Sequence, residues 1–195
     1  MLSPLVPMLP DRIKTLRLLL RPFVLQDVPE VLAYAGDLDY ARYQSGPWPF
    51  RAHEAEAFVA ELLSRDRNLR PSWAITHEGV VSGIVVLSFD PDFATAWLGY
   101  GLGKALWGKG YAREAVSAAL ASAFGGLTHL DKIGARTDSR NVRSRRLLQK
   151  LGFLPEPTAP PTEFVRGERV HAVVYRLFRE EWDSGDAHSE LRLTA

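Results

Sequence analysis

"WGKGYAREA", residues 107–115, places two glycines around a lysine directly before a segment with helical character. The first turn of a helix carries N–H groups without intrahelical acceptors, together with the positive end of the helix dipole. Glycine lets an anion approach such a backbone closely. The stretch therefore predicts a phosphate-binding turn or an ordinary tight turn, and the rest of the chain has to separate the two.

Composition places the chain among ordinary globular proteins. Its 195 residues are 46% hydrophobic and 24% charged, with a net charge of +1, so there is no general electrostatic case for a nucleic-acid partner. The absence of cysteine excludes disulfides, thiolate metal sites and a cysteine nucleophile. The opening "MLSPLVPMLPDR" is broken by prolines and is unlike a signal peptide, and no apolar run has the roughly 20 residues of a membrane span. These features predict a cytoplasmic protein without a membrane partner.

The hydrophobic periodicity predicts alternating strands and helices. In the first half we expect a strand over 15–24, a helix from Asp27 to Ala35, a helix over 53–67, strands within 72–78 and 80–89, and a strand over 94–102. In the second half we expect a helix over 112–124, a strand over 130–137, a helix capped by Asn141 and stopped by Gly152, and strands over 153–166 and 169–179. This order predicts a mixed α/β layer structure.

Three kinds of phosphate site fit the glycine turn to different degrees. "GKALWGKG", 103–110, approaches a P-loop, but Gly110 stands where a Ser or Thr should hold magnesium. A dinucleotide fold is less suitable, because neither "GYGLGK" nor "GKGYAR" completes G-x-G-x-x-G. An acyl-CoA pyrophosphate site needs a strand, a turn of free amides and a helix dipole, and Lys109 and Arg113 add positive charge there.

The longer stretch "LGYGLGKALWGKGYAREAV" (98–116), followed by "NVRSRRLLQKLGF" (141–153), resembles the GNAT acetyltransferase superfamily and most closely its RimJ/RimL-type protein N-terminal acetyltransferases. Trp107, Gly110 and Ala112 match the phosphate loop of that branch. "TLRLLLRP", "ARYQSGPWPF" and "VVYRLFREEW" resemble the opening strand, substrate-side loop and closing strand. The resemblance implies one α/β domain over 15–182, between an irregular lead-in (1–14) and a polar tail (183–195). Its mixed, mostly antiparallel sheet would splay between the fourth and fifth strands and be flanked by helices.

The resemblance also implies a set of acetyl-CoA contacts. A backbone amide near Leu102 would meet the thioester carbonyl. One or two of the arginines in 140–146 would meet the 3′-phosphate, the candidates being Arg140, Arg143, Arg145 and Arg146. The implied cofactor-binding residues are Leu102, Trp107, Gly108, Lys109, Gly110, Tyr111, Ala112, Arg113, Asn141, Ser144 and Arg146. Ser144 would protonate the departing thiolate. From helix physics alone, Asn141 is an N-cap and Ser144 a first-turn polar residue.

The general base departs from the pattern of many relatives, because "WLGY" has Trp97 where they carry a strand glutamate. RimL-like enzymes place another glutamate nineteen residues after the serine, which here is Glu163. His171 stands where relatives usually have aspartate, and histidine is a common general base. A lone histidine on a strand is more often packed or solvated. The sequence therefore does not decide whether Glu163, His171 or no side chain is the general base. Trp48 and Phe50, with His171, would line the substrate cleft, although aromatics beside prolines also pin loops.

Together these features predict an acetyl-CoA-dependent N-acetyltransferase in which an amine attacks the bound thioester directly. The acceptor would be a protein N-terminus or a small amine. A CoA-binding sensor or interaction module with little catalysis is the alternative, because the strand glutamate is missing. The five histidines show no metal-ligand spacing, so no metal is expected. Many members of the family are dimers, which makes a homodimer a further expectation.

Overall fold

The computed structural model describes residues 9–44, 49–157, 162–165 and 168–185. The strands are β1 Ile13–Lys14, β2 Leu19–Arg21, β3 Ser72–His77, β4 Val80–Phe89, β5 Thr95–Leu102, β6 Lys132–Asp138, β7 Leu154–Pro155, β8 Thr162–Val165 and β9 Glu168–Phe178. The helices are α1 Val28–Ala35, α2 Leu38–Ala41, α3 Ala52–Ser64, α4 Tyr111–Gly126, α5 Val142–Lys150 and α6 Arg179–Ser184.

One mixed sheet runs through the described residues in the order β1-β2-β3-β4-β5-β6-β9-β7, and β8 pairs with β9. Neighbouring strands are antiparallel except for β5 and β6, which are parallel. The predicted hairpin between β3 and β4 is confirmed, with Glu78 at φ 51° and Gly79 at φ 83° in its two-residue turn. The predicted α/β domain with a mixed, mostly antiparallel sheet and flanking helices is confirmed.

Helices cover both faces of this sheet. α1 and α3 pack on one face through a cluster that includes Val31, Val59 and Ile84. α4 packs on the other face, where its buried alanines and Leu120 join a larger cluster with β4, β5 and β6. Small side chains let α4 lie close to the strands. This arrangement fixes the start of α4 beside the end of β5.

The parallel pairing of β5 and β6 stops halfway along the strands. It extends from Thr95 opposite Lys132 to Leu98 opposite Ala135, and the remaining residues of β5 have no partner in β6. The separation predicted between the fourth and fifth strands, 94–102 and 130–137, is confirmed. These strands are β5 and β6 in the structure because Ile13–Lys14 add a strand before the first predicted one. The predicted strand 15–24 is itself too long, because a turn over 15–18 precedes β2.

This turn is closed by Thr15, whose N–H donates to the Leu18 carbonyl at 2.9 Å. Ile13–Lys14, which the prediction leaves in the lead-in, form β1 and pair with β2. Pro22 follows β2 directly and prevents its continuation. The predicted strand over 153–166 is also divided, into β7 and β8, in a stretch that contains several prolines.

Candidate functional site

A cavity of about 590 Å³ opens where β5 and β6 separate. Ten residues predicted for the acetyl-CoA site line it: Leu102, Trp107, Gly108, Gly110, Tyr111, Ala112, Arg113, Asn141, Ser144 and Arg146. Ten further residues line it: Asp39, Tyr40, Tyr43, Gln44, Tyr100, Gly101, Leu106, Arg143, Leu147 and Lys150. Of these, Arg143 is one of the arginines considered for the 3′-phosphate, and Tyr43 and Gln44 lie in the stretch that resembles the substrate-side loop. The volume falls in the range of small-molecule sites.

The glycine turn enters α4 without any side-chain cap. Gly108 and Gly110 have φ values of 75° and 83°, and Gly110 is the N-cap residue. The first amide to bond back along the helix is that of Glu114, which donates to the Gly110 carbonyl at 3.1 Å. Tyr111 and Ala112 lie in the first helical turn, where N–H groups have no intrahelical acceptor, and both line the cavity. The turn is thus suited to bind an anion.

A hook formed by Thr15 and Arg17 braces this turn from outside the cavity. Arg17 Nη1 donates to the Lys109 carbonyl at 3.0 Å, and its guanidinium lies 4.1 Å from the Tyr111 ring centre. Glu114 accepts from the Thr15 hydroxyl at 2.6 Å and from Arg17 Nε at 2.7 Å. Burial alone would raise the pKa of Glu114, but these hydrogen bonds and the Arg17 charge outweigh it and lower that pKa. Glu114 therefore stays ionised as an anchor for the hook.

Trp107 links the two sides of the gap. Its indole Nε1 donates to the Leu102 carbonyl at 2.6 Å, at the end of β5. The guanidinium of Arg143, on α5, lies 4.3 Å from the centre of its ring. An aromatic at the first loop position therefore orders the loop through a backbone acceptor and a cation–π contact.

The open edge of β5 presents backbone groups to the cavity. Gly103 N–H donates to the Ser82 carbonyl on the β4 side at 2.7 Å. Because alternate residues of an antiparallel strand bond to the same neighbour, Tyr100 and Leu102 direct their N–H and C=O groups to the opposite side. The Leu102 carbonyl agrees with this assignment, since Trp107 binds it there. Amides of this edge are positioned to donate to a carbonyl oxygen in the cavity.

Two hydroxyls meet across the gap at the start of α5. The predicted N-cap is confirmed, with Asn141 Oδ1 accepting from Ser144 N–H at 3.1 Å. Ser144 Oγ lies 2.8 Å from the Tyr100 hydroxyl. Burial is the main cause that raises the pKa of Tyr100 to about 12, although the Ser144 hydrogen bond opposes it. Tyr100 is therefore protonated at any physiological pH.

Charge in the cavity is mainly positive. Among its described lining residues Asp39 is the only acid, whereas Arg113, Arg143, Arg146 and Lys150 are cations. Asp39 accepts from Lys104 Nζ at 2.6 Å, and this bond, with the Lys104 charge, lowers the pKa of Asp39. Paired in this way, Asp39 is a weak proton acceptor. The excess of cations favours a ligand with several negative charges.

Gly101 gives the cavity wall its shape, because the buried Tyr40 packs against its Cα. A Cβ at Gly101 would collide with the Tyr40 hydroxyl and lie 2.9 Å from Cζ. At Gly99, two residues earlier on the same strand, the nearest atom to such a Cβ is 4.0 Å away. The position of Tyr40 in the cavity wall thus requires glycine at 101 but not at 99.

We expect Gly101→Ala to lower the free energy of unfolding by about 1–3 kcal/mol, since the ring of the buried Tyr40 would have to shift. Gly99→Ala is the matched control and should be close to wild type. Urea unfolding of both variants measures the difference. Equal stability of the two variants would contradict the tight contact at Tyr40.

Some predicted residues lie away from the cavity. Lys109 is not among its lining residues, because its Nζ turns back to donate to the Ala105 carbonyl at 3.0 Å. Phe50 is 7% exposed and packs in the α1–α3 cluster, with its ring centre 5.3 Å from that of Phe58. His171 has an exposed side chain on β9 and does not line the cavity. The structure therefore does not place Lys109, Phe50 or His171 in the lining of the cavity.

The two remaining predicted residues are less fully described. Glu163 lies on β8, with its backbone opposite Val170 of β9. Trp48 lies outside the described residues. The roles predicted for both stay predictions.

Sequence reasoning missed Asp39 and Tyr40 on the α2 side of the cavity, and the hydroxyl of Tyr100. Tyr100 could have been identified from the sequence, because it is the last residue of the "WLGY" stretch that contains Trp97. Nothing in the sequence indicates the α2 residues, because they reach the cavity only through the packing of α2 against the end of β5.

The family is decided by a domain model that matches residues 17–154 and is described as an acetyltransferase (GNAT) domain. The chain belongs to the GNAT acetyltransferase family. It is 27% identical over 177 residues to the uncharacterized N-acetyltransferase p20 of Bacillus licheniformis, covering 88% of this chain and 98% of that protein. The resemblance noted in the sequence is thus confirmed, and the protein is an acyltransferase.

Solved structures share the fold of this acetyltransferase. A GNAT-family acetyltransferase from Bacillus anthracis matches with a TM-score of 0.76 and 25% identity, covering 87% of this chain and 99% of that one. RimJ of Mycobacterium smegmatis, solved with a CoA disulfide, matches with a TM-score of 0.80 and 20% identity, covering 94% and 95%. In both, the match extends over nearly all of the described domain.

Two further properties concern only the described residues. They contain no cluster of three or more His, Asp or Glu side chains able to hold a metal ion. None of their helices combines the length and apolar character needed to cross a membrane.

Proposed function

We propose that the protein is an acetyl-CoA-dependent N-acetyltransferase whose acceptor is a primary amine, either a protein N-terminus or a small amine. The observation that carries this proposal is the uncapped glycine turn, which opens unpaired amides onto a cavity rich in cations. The open edge of β5 beside it supplies donors for a thioester carbonyl. The pyrophosphate and the acetyl group then have separate places in one cavity.

In the proposed reaction the amine nitrogen attacks the acetyl carbonyl carbon and the carbon–sulfur bond breaks. The amides of Gly108–Ala112 hold the pyrophosphate, and a β5 amide near Leu102 stabilises the oxyanion. The nitrogen loses one proton, and the leaving sulfur gains one. Ser144 is the proposed donor to sulfur, and Glu163 is the proposed acceptor from nitrogen. Orientation of both substrates supplies much of the remaining rate enhancement.

The acceptor would enter from the α2 side, where Tyr43 and Gln44 line the cavity beyond the paired Asp39. These polar and aromatic groups fit the backbone of a peptide as well as a small amine. Release of CoA, measured with a panel of N-terminal peptides and small amines, distinguishes the two acceptor classes.

A second function, CoA sensing with little catalysis, is favoured by one observation. The single acid among the described cavity residues is neutralised by Lys104 and makes a poor base. A sensor would bind acetyl-CoA and turn over none of the amines in the panel. An acetyltransferase would release CoA with at least one of them.

We expect acetyl-CoA to stabilise the protein and ATP with magnesium to leave it unchanged, because Gly110 stands where a P-loop needs Ser or Thr. A ligand at 100 times its dissociation constant adds about 2.7 kcal/mol to the free energy of unfolding. The measurement is the melting temperature with each ligand. A shift with ATP and magnesium but none with acetyl-CoA would refute the proposed function.

A further inference from the structure

The hydrogen bond between Tyr100 and Ser144 joins the free half of β5 to the first turn of α5. The two oxygens are 2.8 Å apart, and both residues line the cavity. The pairing of β5 with β6 ends at Leu98, two residues before Tyr100. A side-chain contact between two hydroxyls spans the gap inside the proposed active site.

Either hydroxyl could donate at this distance, and their relative acidity indicates which one does. The Ser144 N–H is occupied by Asn141 Oδ1, which fixes the backbone of this turn. The Tyr100 hydroxyl has two acceptors on Ser144, Oγ at 2.8 Å and the carbonyl oxygen at 3.3 Å. Oγ is the closer one, and a phenol is a stronger acid than an aliphatic alcohol, so Tyr100 is the better donor. When Tyr100 donates, the proton of Ser144 is free to turn into the cavity.

We propose that Tyr100 is a positioning residue for acetyl transfer: it donates to Ser144 Oγ and directs the Ser144 proton toward the leaving sulfur. This inference rests on the proposed function. Hydrogen bonds in series polarise one another, so an accepting Ser144 is also a stronger donor. Tyr100 thus acts through Ser144 and needs no contact with the substrates.

The proton balance of this step is closed. As the carbon–sulfur bond breaks, its electron pair goes to sulfur, and the Ser144 O–H donates to the sulfur. When that proton crosses, the Tyr100 proton follows to Ser144 Oγ. Glu163, the proposed base, takes a proton from the acceptor nitrogen and later releases it to solvent, from which Tyr100 recovers its own. One proton has left nitrogen, and one has reached sulfur.

The test is a double-mutant cycle with Tyr100→Phe and Ser144→Ala, measured as single-turnover acetyl transfer at saturating acetyl-CoA. We expect Tyr100→Phe to slow transfer three- to tenfold, the effect of about one hydrogen bond, with acetyl-CoA affinity within twofold of wild type. In the Ser144→Ala background the same change should cost less than twofold. The rate ratio between Tyr100→Phe and wild type should not change between pH 6 and pH 9, since Tyr100 stays protonated there.

Tyr34→Phe is the matched control, because the Tyr34 hydroxyl is buried without a partner among the described residues and does not line the cavity. It should transfer acetyl at the wild-type rate. Equal losses from Tyr100→Phe in both backgrounds would mean a structural role and overturn the inference alone. So would a wild-type rate in Ser144→Ala, a variant that leaves the Asn141 cap in place. A wild-type protein that neither binds acetyl-CoA nor transfers acetyl would overturn the proposed function as well.

Discussion

Replacing Gly110 by valine is expected to lower acetyl-CoA affinity at least a hundredfold. Gly110 has φ 83°, a conformation that costs a β-branched residue about 1–3 kcal/mol or more. Its Cβ would lie 3.4 Å from Arg17 Nη2, so the branched side chain would crowd the guanidinium that braces the turn. Backbone strain and this crowding therefore act on the same turn. Titration calorimetry with acetyl-CoA measures the loss.

Gly79→Val is the matched control for this variant. Gly79 also has φ 83°, and a Cβ there meets no atom within 4 Å. It lies in the β3–β4 turn and does not line the cavity, so the variant carries the backbone strain without crowding a side chain that braces the glycine turn. It should bind acetyl-CoA with wild-type affinity. If Gly110→Val bound within tenfold of wild type, the phosphate would have to lie elsewhere.

The second large effect is expected at Glu163, which we propose as the acceptor of the amine proton. An α-amine has a pKa near 8, so at pH 7 most of it must lose a proton before it can attack. A positioned general base contributes about 10²–10⁴-fold in rate. Glu163→Gln preserves the shape and removes the basicity. It should reduce kcat at least tenfold and leave acetyl-CoA affinity unchanged, as measured across pH with one working acceptor.

His171→Asn tests the alternative base. The backbone of β8 places Thr162 opposite His171, next to Glu163, so the two candidates share one hairpin. Because the His171 side chain is exposed and lies outside the cavity lining, its replacement should change kcat only slightly. Loss of activity in His171→Asn with a normal Glu163→Gln would assign the base to histidine. If neither variant loses activity, the amine binds already neutral and the site works by positioning.

Local signals in the sequence predicted the turns that border the cavity. The glycine turn before α4 and the Asn141 cap follow from residue type and position relative to a helix. The same holds for the hairpin at Glu78 and Gly79. In each case the deciding interaction joins residues a few positions apart in the chain.

Features that depend on distant contacts could not be predicted in this way. The turn in the opening strand is held by Arg17 against Glu114, and Phe50 lies in the core because it packs against Phe58. Composition and periodicity carry no information about such choices, since each depends on which surfaces come together.

Through the hook of Thr15 and Arg17, ligand affinity depends on the order of the amino-terminal edge of the sheet. A segment nearly a hundred residues away in the chain sets the stiffness of the glycine turn, through bonds to Lys109 and Glu114. Fraying of this edge and release of acetyl-CoA are then thermodynamically linked, and each favours the other. Substitutions that loosen β1 will consequently behave as binding mutants, although they never touch the ligand.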